Sequence, residues 1–108
     1  MNYNALLAQL GYNTDEANIA HIKRILNNSD GVEPTDVITL NDHLKSHLCF
    51  VALSSSEDRL KIKNVATIPE IKQQVEQIIQ NWSIKNKILL KKINETTYYI
   101  IGKHYEKF

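Results

Sequence analysis

Cysteine, proline and glycine are nearly missing from this chain, whose 108 residues hold one Cys, two Pro and three Gly. The single cysteine, Cys49, excludes an internal disulfide and suits a reducing compartment. Scarce Gly and Pro imply long regular elements joined by short turns. The glycines, at 11, 31 and 102, are too scattered to form a phosphate-cradling loop. Long apolar runs are missing too. The longest, Leu48 to Leu53, is far short of the roughly 20 residues a membrane helix needs. The opening MNYNALLAQLGYN has neither a basic segment nor a long apolar one, so no secretory leader is expected and the location reads as cytoplasmic, with no membrane partner.

What is present is an ordinary globular share of apolar residues, 43%. With that length it predicts one domain, residues 1–108, with a real core and no need of metal or disulfide. Net charge is +1, but the average hides a split. Residues 1–58 carry three basic and eight acidic residues, a net −5; residues 59–108 carry ten and four, a net +6. Halves of opposite sign suit a polyanion partner for the basic half, or head-to-tail self-association.

The expected fold class is α+β: three N-terminal helices, a short strand, an amphipathic helix and a C-terminal β-hairpin, with the strands forming a small antiparallel sheet. A first helix covers Asn4 to Leu10, with Gly11 in the left-handed position that closes a helix and Tyr12 folding back over the end. A second begins at Asn13 or Thr14, where Asn13 and Glu16 have capping-box spacing. A third follows Pro34. Val37, Leu40, Leu44, Leu48 and Val51 recur at helical spacing along it, and Ser54–Ser56 breaks it. From Arg59 to Val65, Leu60 and Ile62 alternate with Lys61 and Lys63, a half-buried strand. Thr67 and Glu70 form a second capping-box pattern, opening a helix that buries Ile71, Val75, Ile78, Ile79 and Trp82 and ends near Ser83. Lys87 to Ile93 and Thr97 to Gly102 then read as a hairpin turning at 94–96, with Ile88, Leu90, Tyr98 and Ile100 on one face.

No catalytic signature emerges. His43 and His47, four apart on the third predicted helix with Asp36 on the same side, have the spacing of two zinc ligands. A site needs three or four, and Leu44 stands where the zincin motif requires Glu. Metal binding and a cofactor are therefore not expected. Cys49 has His47 two residues away, on a diverging helical direction, and Ser54–Ser56 lack a histidine placed to activate them.

The C-terminal segment gives the functional expectation. Lys85, Lys87, Lys91, Lys92 and Lys103 are interleaved with Tyr98 and Tyr99, and His104, Tyr105 and Lys107 follow. Lysines neutralise phosphates and exposed aromatics stack on bases. A helix followed by a basic hairpin resembles the recognition-helix-plus-wing half of winged-helix proteins. Glu70 and Glu76 on that helix, against Lys72 alone, suit phosphates poorly, so the hairpin lysines would act without it. The helix–turn–helix order of Ala5 to Ile25 is loosely similar to a DNA-binding helix-turn-helix, but it places Asp15 and Glu16 at the groove. The expected function is a small non-catalytic binding protein that contacts a nucleic-acid backbone through Lys85, Lys87, Lys91, Lys92, Tyr98, Tyr99 and Lys103. The alternative is an adaptor or inhibitor that recruits a protein partner, or a second copy as a homodimer, through an apolar helix face or a sheet edge.

Overall fold

The computed structural model describes residues 3–103. The chain runs α1 (Tyr3–Gln9), α2 (Glu16–Asn27), α3 (Pro34–Lys45), β1 (Phe50–Leu53), β2 (Leu60–Lys63), α4 (Pro69–Asn86), β3 (Ile88–Asn94) and β4 (Thr97–Lys103). The α+β class and the C-terminal hairpin match expectation. The sheet has four antiparallel strands in the order β1-β2-β4-β3, one more than the sequence suggests. None of the described helices is long and apolar enough to cross a membrane.

α1 ends as its sequence dictates. Gly11 takes φ +87°, its amide donates to the Ala8 carbonyl at 3.1 Å, and the Tyr12 amide reaches back to Leu7 at 2.9 Å. This pair of bonds satisfies carbonyls that a helix end otherwise leaves open. α2 starts later than the Asn13–Glu16 pattern implies. Asp15 is its N-cap and accepts from the Asn18 amide at 2.9 Å, while the Asn13 carbonyl takes the Asn18 side chain. α4 also starts later than expected, with Ile68 rather than Thr67 at the N-cap and no side-chain cap. Pro69 at the first helical position has no amide to leave unpaired, which softens the loss.

The main correction concerns α3. Its apolar spacing continues to Val51, but the helix stops at Lys45. The next turn closes with the same bond pair that ends α1: Leu48 N donates to the Lys45 carbonyl and Cys49 N to Leu44, both at 3.0 Å. Leu48 sits in the left-handed position at φ 60° with its side chain 85% exposed, so it is not part of the buried stripe. The chain then enters β1, where Val51 pairs with Ile62 and Leu53 with Leu60. Ser54–Ser56 lies in the turn from β1 to β2 rather than at a helix end. α4, in turn, runs to Asn86 rather than ending near Ser83, and Lys87 (φ 54°) reverses the chain into β3.

All four helices share one core with one face of the sheet. Leu6 and Leu7 of α1, Ile22 and Ile25 of α2, Val37, Leu40 and Leu44 of α3 and Val75, Ile79 and Trp82 of α4 join Val51, Leu53, Leu60, Ile62, Ile88, Tyr98 and Ile100 in one buried cluster. Each fully buried Leu or Ile contributes about 1.5–3 kcal/mol by leaving water. Gly102 seats the α2–α3 turn on the sheet. A Cβ there would lie 2.9 Å from the Asp30 amide nitrogen, and the Lys103 amide donates to the Asp30 carbonyl at 2.6 Å. Because the helices occupy one side, the residues that alternate away from the core stand on an uncovered face.

Candidate nucleic-acid interface

Strand alternation decides which of the expected contacts lie together. On β4, Tyr98 points into the core and is 6% exposed, while its neighbour Tyr99 points away. Tyr99 pairs with Lys61 of β2 on one side and with Lys91 of β3 on the other. Adjacent strands lie roughly 4.8 Å apart, so Tyr99 has a lysine beside it on each neighbouring strand. Lys63 continues the same face of β2, opposite Thr97 on β4 and Phe50 on β1. Its Nζ donates to Thr97 Oγ1 at 2.6 Å, which fixes it beside the ring row. Phe50 is 42% exposed and Leu89, two residues before Lys91, is 52% exposed. The uncovered face thus combines Lys61, Lys63 and Lys91 with Tyr99 and Phe50.

The Tyr99 hydroxyl lies 3.5 Å from Ser54 Oγ in the β1–β2 turn. Hydrogen bonds from Ser54 and then Ser56 lower its pKa, with Lys61 adding in the same direction and Glu57 opposing. The ring is therefore held at its hydroxyl end.

Tyr98 and Lys92 do not belong to this surface. The Tyr98 hydroxyl donates to Glu76 Oε1, and Gln80 reaches the same hydroxyl at 3.4 Å. Lys92 Nζ lies 3.7 Å from Glu76 and 5.6 Å from the Tyr98 ring centre. Burial pushes Tyr98 up to about 12, and the Glu76 bond and charge add to the rise. For Glu76, burial pulls the carboxyl upward, but hydrogen bonds from Tyr98 and Asn64 and the charges of Lys92 and Lys72 outweigh it, leaving it below its ordinary range. This is a packed polar network between α4 and the sheet.

Other cations of the basic half are also occupied. Lys103 Nζ donates to the Asn86 carbonyl at 2.8 Å and lies 3.9 Å from Asp36. Arg59 donates to the carbonyls of Asn28 and Ile101 at 2.7 and 2.8 Å, tying the α2 end to β4. Lys72 donates to the Asn64 and Glu95 carbonyls. Lys85 and Lys87 lie at the C-terminal end of α4, away from Tyr99. Among the described residues, Lys61, Lys85, Lys87 and Lys91 make no hydrogen bond or ion pair through their ammonium groups. Of the seven expected contacts, only Lys91 and Tyr99 share the uncovered sheet face, whereas Lys87, Lys92 and Tyr98 lie together on its helix side. Lys61, Lys63 and Phe50 join them there, and His104, Tyr105 and Lys107 lie outside the described residues.

The expected histidine pair separates. His43 is on α3, whereas His47 lies past its end with Nδ1 2.9 Å from Ser46 Oγ. Among the described residues no three His, Cys, Asp or Glu side chains converge as a metal site. Cys49 is buried, its Sγ 3.7 Å from Asn64 Oδ1, and packs as a core residue.

Compared with protein-family models, curated proteins and solved structures, the chain matches none of them.

Proposed function

We propose that this protein is a non-catalytic binding protein for single-stranded nucleic acid, and that it uses the uncovered sheet face. The observation that supports this most is the placement of Tyr99 between Lys61 and Lys91 in direct register. Tyr99 is half-buried, and its ring on the outer sheet face offers a base a stacking surface while lysines on the neighbouring strands neutralise phosphates. A groove-reading mode is less suited to this surface, because it is a broad sheet face rather than a projecting helix. Such binding is sequence-tolerant, since every base has a π-face and the lysines meet only the backbone.

Fluorescence anisotropy with a labelled oligonucleotide at low salt tests the proposal. Tyr99→Ala should weaken binding by about 1–3 kcal/mol, the usual worth of a stacked base. Tyr99→Phe, which keeps the ring, should retain most of the affinity. Absence of binding by the unaltered protein to single-stranded DNA and RNA at low salt contradicts the reading.

A further inference from the structure

The sheet order leaves β1 and β3 as edges, and the two edges are treated differently. The β1 amides that point off the sheet are occupied. Val51 N donates to Asn41 Oδ1 at 2.9 Å and Leu53 N to the Tyr12 hydroxyl at 3.1 Å. Asn41 is itself buried and tied to the Gln9 carbonyl, so this cap is part of the core. Among the described residues, the backbone of 89–93 on β3 makes no hydrogen bond outside its ladder with β4. A strand edge with free amides and carbonyls is a template for another strand.

Alongside that edge runs a groove of about 600 Å³ between α4 and β3. Ile84, Leu90 and Tyr98 give it apolar walls, Ser83 lines it, and Lys87 and Lys92 are among its polar lining residues. Ile84 is 74% exposed, which is unusual for an isoleucine on a helix that packs its opposite face into the core. An added strand would alternate its side chains, placing every second one in this groove and the others level with Leu89 and Lys91.

We propose that β3 captures an extended acidic segment of a partner protein by strand addition. Charge selects the occupant. Lys87, Lys91 and Lys92 line the edge, so a segment alternating acidic and apolar residues complements it. A second copy pairing β3 with β3 would bring two lysine rows together, the device by which proteins keep edges from self-pairing. This surface shares Lys91 with the nucleic-acid proposal, but Ile84 and the groove lie on the helix side of the sheet, away from Tyr99.

The test uses the full chain and a labelled seven-residue peptide alternating Glu and Val, read by fluorescence anisotropy. Saturable binding is expected, with protection of β3 amides in hydrogen exchange. Ile84→Glu should weaken it at least tenfold, as should a peptide N-methylated on alternate residues, which keeps the charges but cannot complete the ladder. Tyr99→Ala should leave it unchanged. Lack of saturable binding, equal binding of the N-methylated peptide, or equal binding of a Lys/Val peptide overturns the proposal. So does a sedimentation profile in which the protein is a dimer that Ile84→Glu dissociates, because the edge would then be filled by a second copy.

Discussion

The Tyr98 hydroxyl donates its hydrogen bond to Glu76, joining the turn end of the hairpin to the middle of α4. The same carboxylate accepts Asn64 Nδ2 at 2.7 Å and faces Lys92 at 3.7 Å. A half-buried carboxylate is costly unless its lone pairs are met, and here two donors and a cation meet them.

Tyr98→Phe keeps the ring in the core and removes one charge-assisted bond. The expected loss is about 1.5–3 kcal/mol, measured by urea denaturation. A change within experimental error would mean that water replaces the phenol at Glu76 without cost.

The same network sets a pH response at both ends. Glu76 is depressed in the folded state, so its contribution is present above its ordinary value of 4.5 and is lost as pH falls through its lower folded value. Tyr98 is raised, so its contribution is intact below its ordinary value of 10 and is lost as pH rises from there toward about 12. Denaturation midpoints across pH should fall in both windows. Tyr98→Phe should flatten the alkaline fall, and an unchanged alkaline slope would assign it to other groups.

Leu48 holds a left-handed backbone with almost none of its side chain covered. That conformation costs a branched residue about 1–2 kcal/mol, partly offset on replacement by the greater freedom of glycine when unfolded. Leu48→Gly should therefore stabilise the protein by up to about 1 kcal/mol, seen as a rise in melting temperature of roughly 4–8 °C. A fall would show that the Leu48 side chain makes contacts that outweigh the strain.

Leu48 also marks where the sequence misleads. Val37, Leu40 and Leu44 are a true helical stripe, and Leu48 and Val51 continue its spacing by coincidence. A four-residue turn, 46–49, separates helix from strand, and its left-handed residue, Leu48, carries no local signal because it is not a glycine. The same holds for Lys87, which ends α4 three residues beyond the expected stop. By contrast, Gly11 announces its turn plainly, and Ile88, Leu90, Tyr98 and Ile100 declare the buried face of the hairpin through period-two alternation.

The candidate site was half legible for a related reason. Alternation around Leu60 and Ile62 already places Lys61 and Lys63 on the outer face. Their meeting with Tyr99 depends on β2 pairing with β4 across more than thirty residues, which no local pattern encodes. Nor does sequence reveal that Lys92, Lys103, Arg59 and Lys72 are engaged by Glu76, Asp36 and backbone carbonyls. Part of the charge excess of the C-terminal half is thus engaged in these contacts, and the lysines beside Tyr99 are the part of it that stands on the uncovered sheet face.

The most direct measurement of the central idea is the salt dependence of oligonucleotide binding for the unaltered protein and for Lys61→Gln/Lys91→Gln. Each phosphate contact on a single strand contributes about 0.7 to the slope of log affinity against log salt. The paired substitution should lower that slope by roughly 1.4 and weaken binding at low salt, while Lys85→Gln/Lys87→Gln, at the far end of α4, should leave both nearly unchanged. Equal slopes for the unaltered protein and Lys61→Gln/Lys91→Gln would contradict the assignment of the interface to the sheet face around Tyr99.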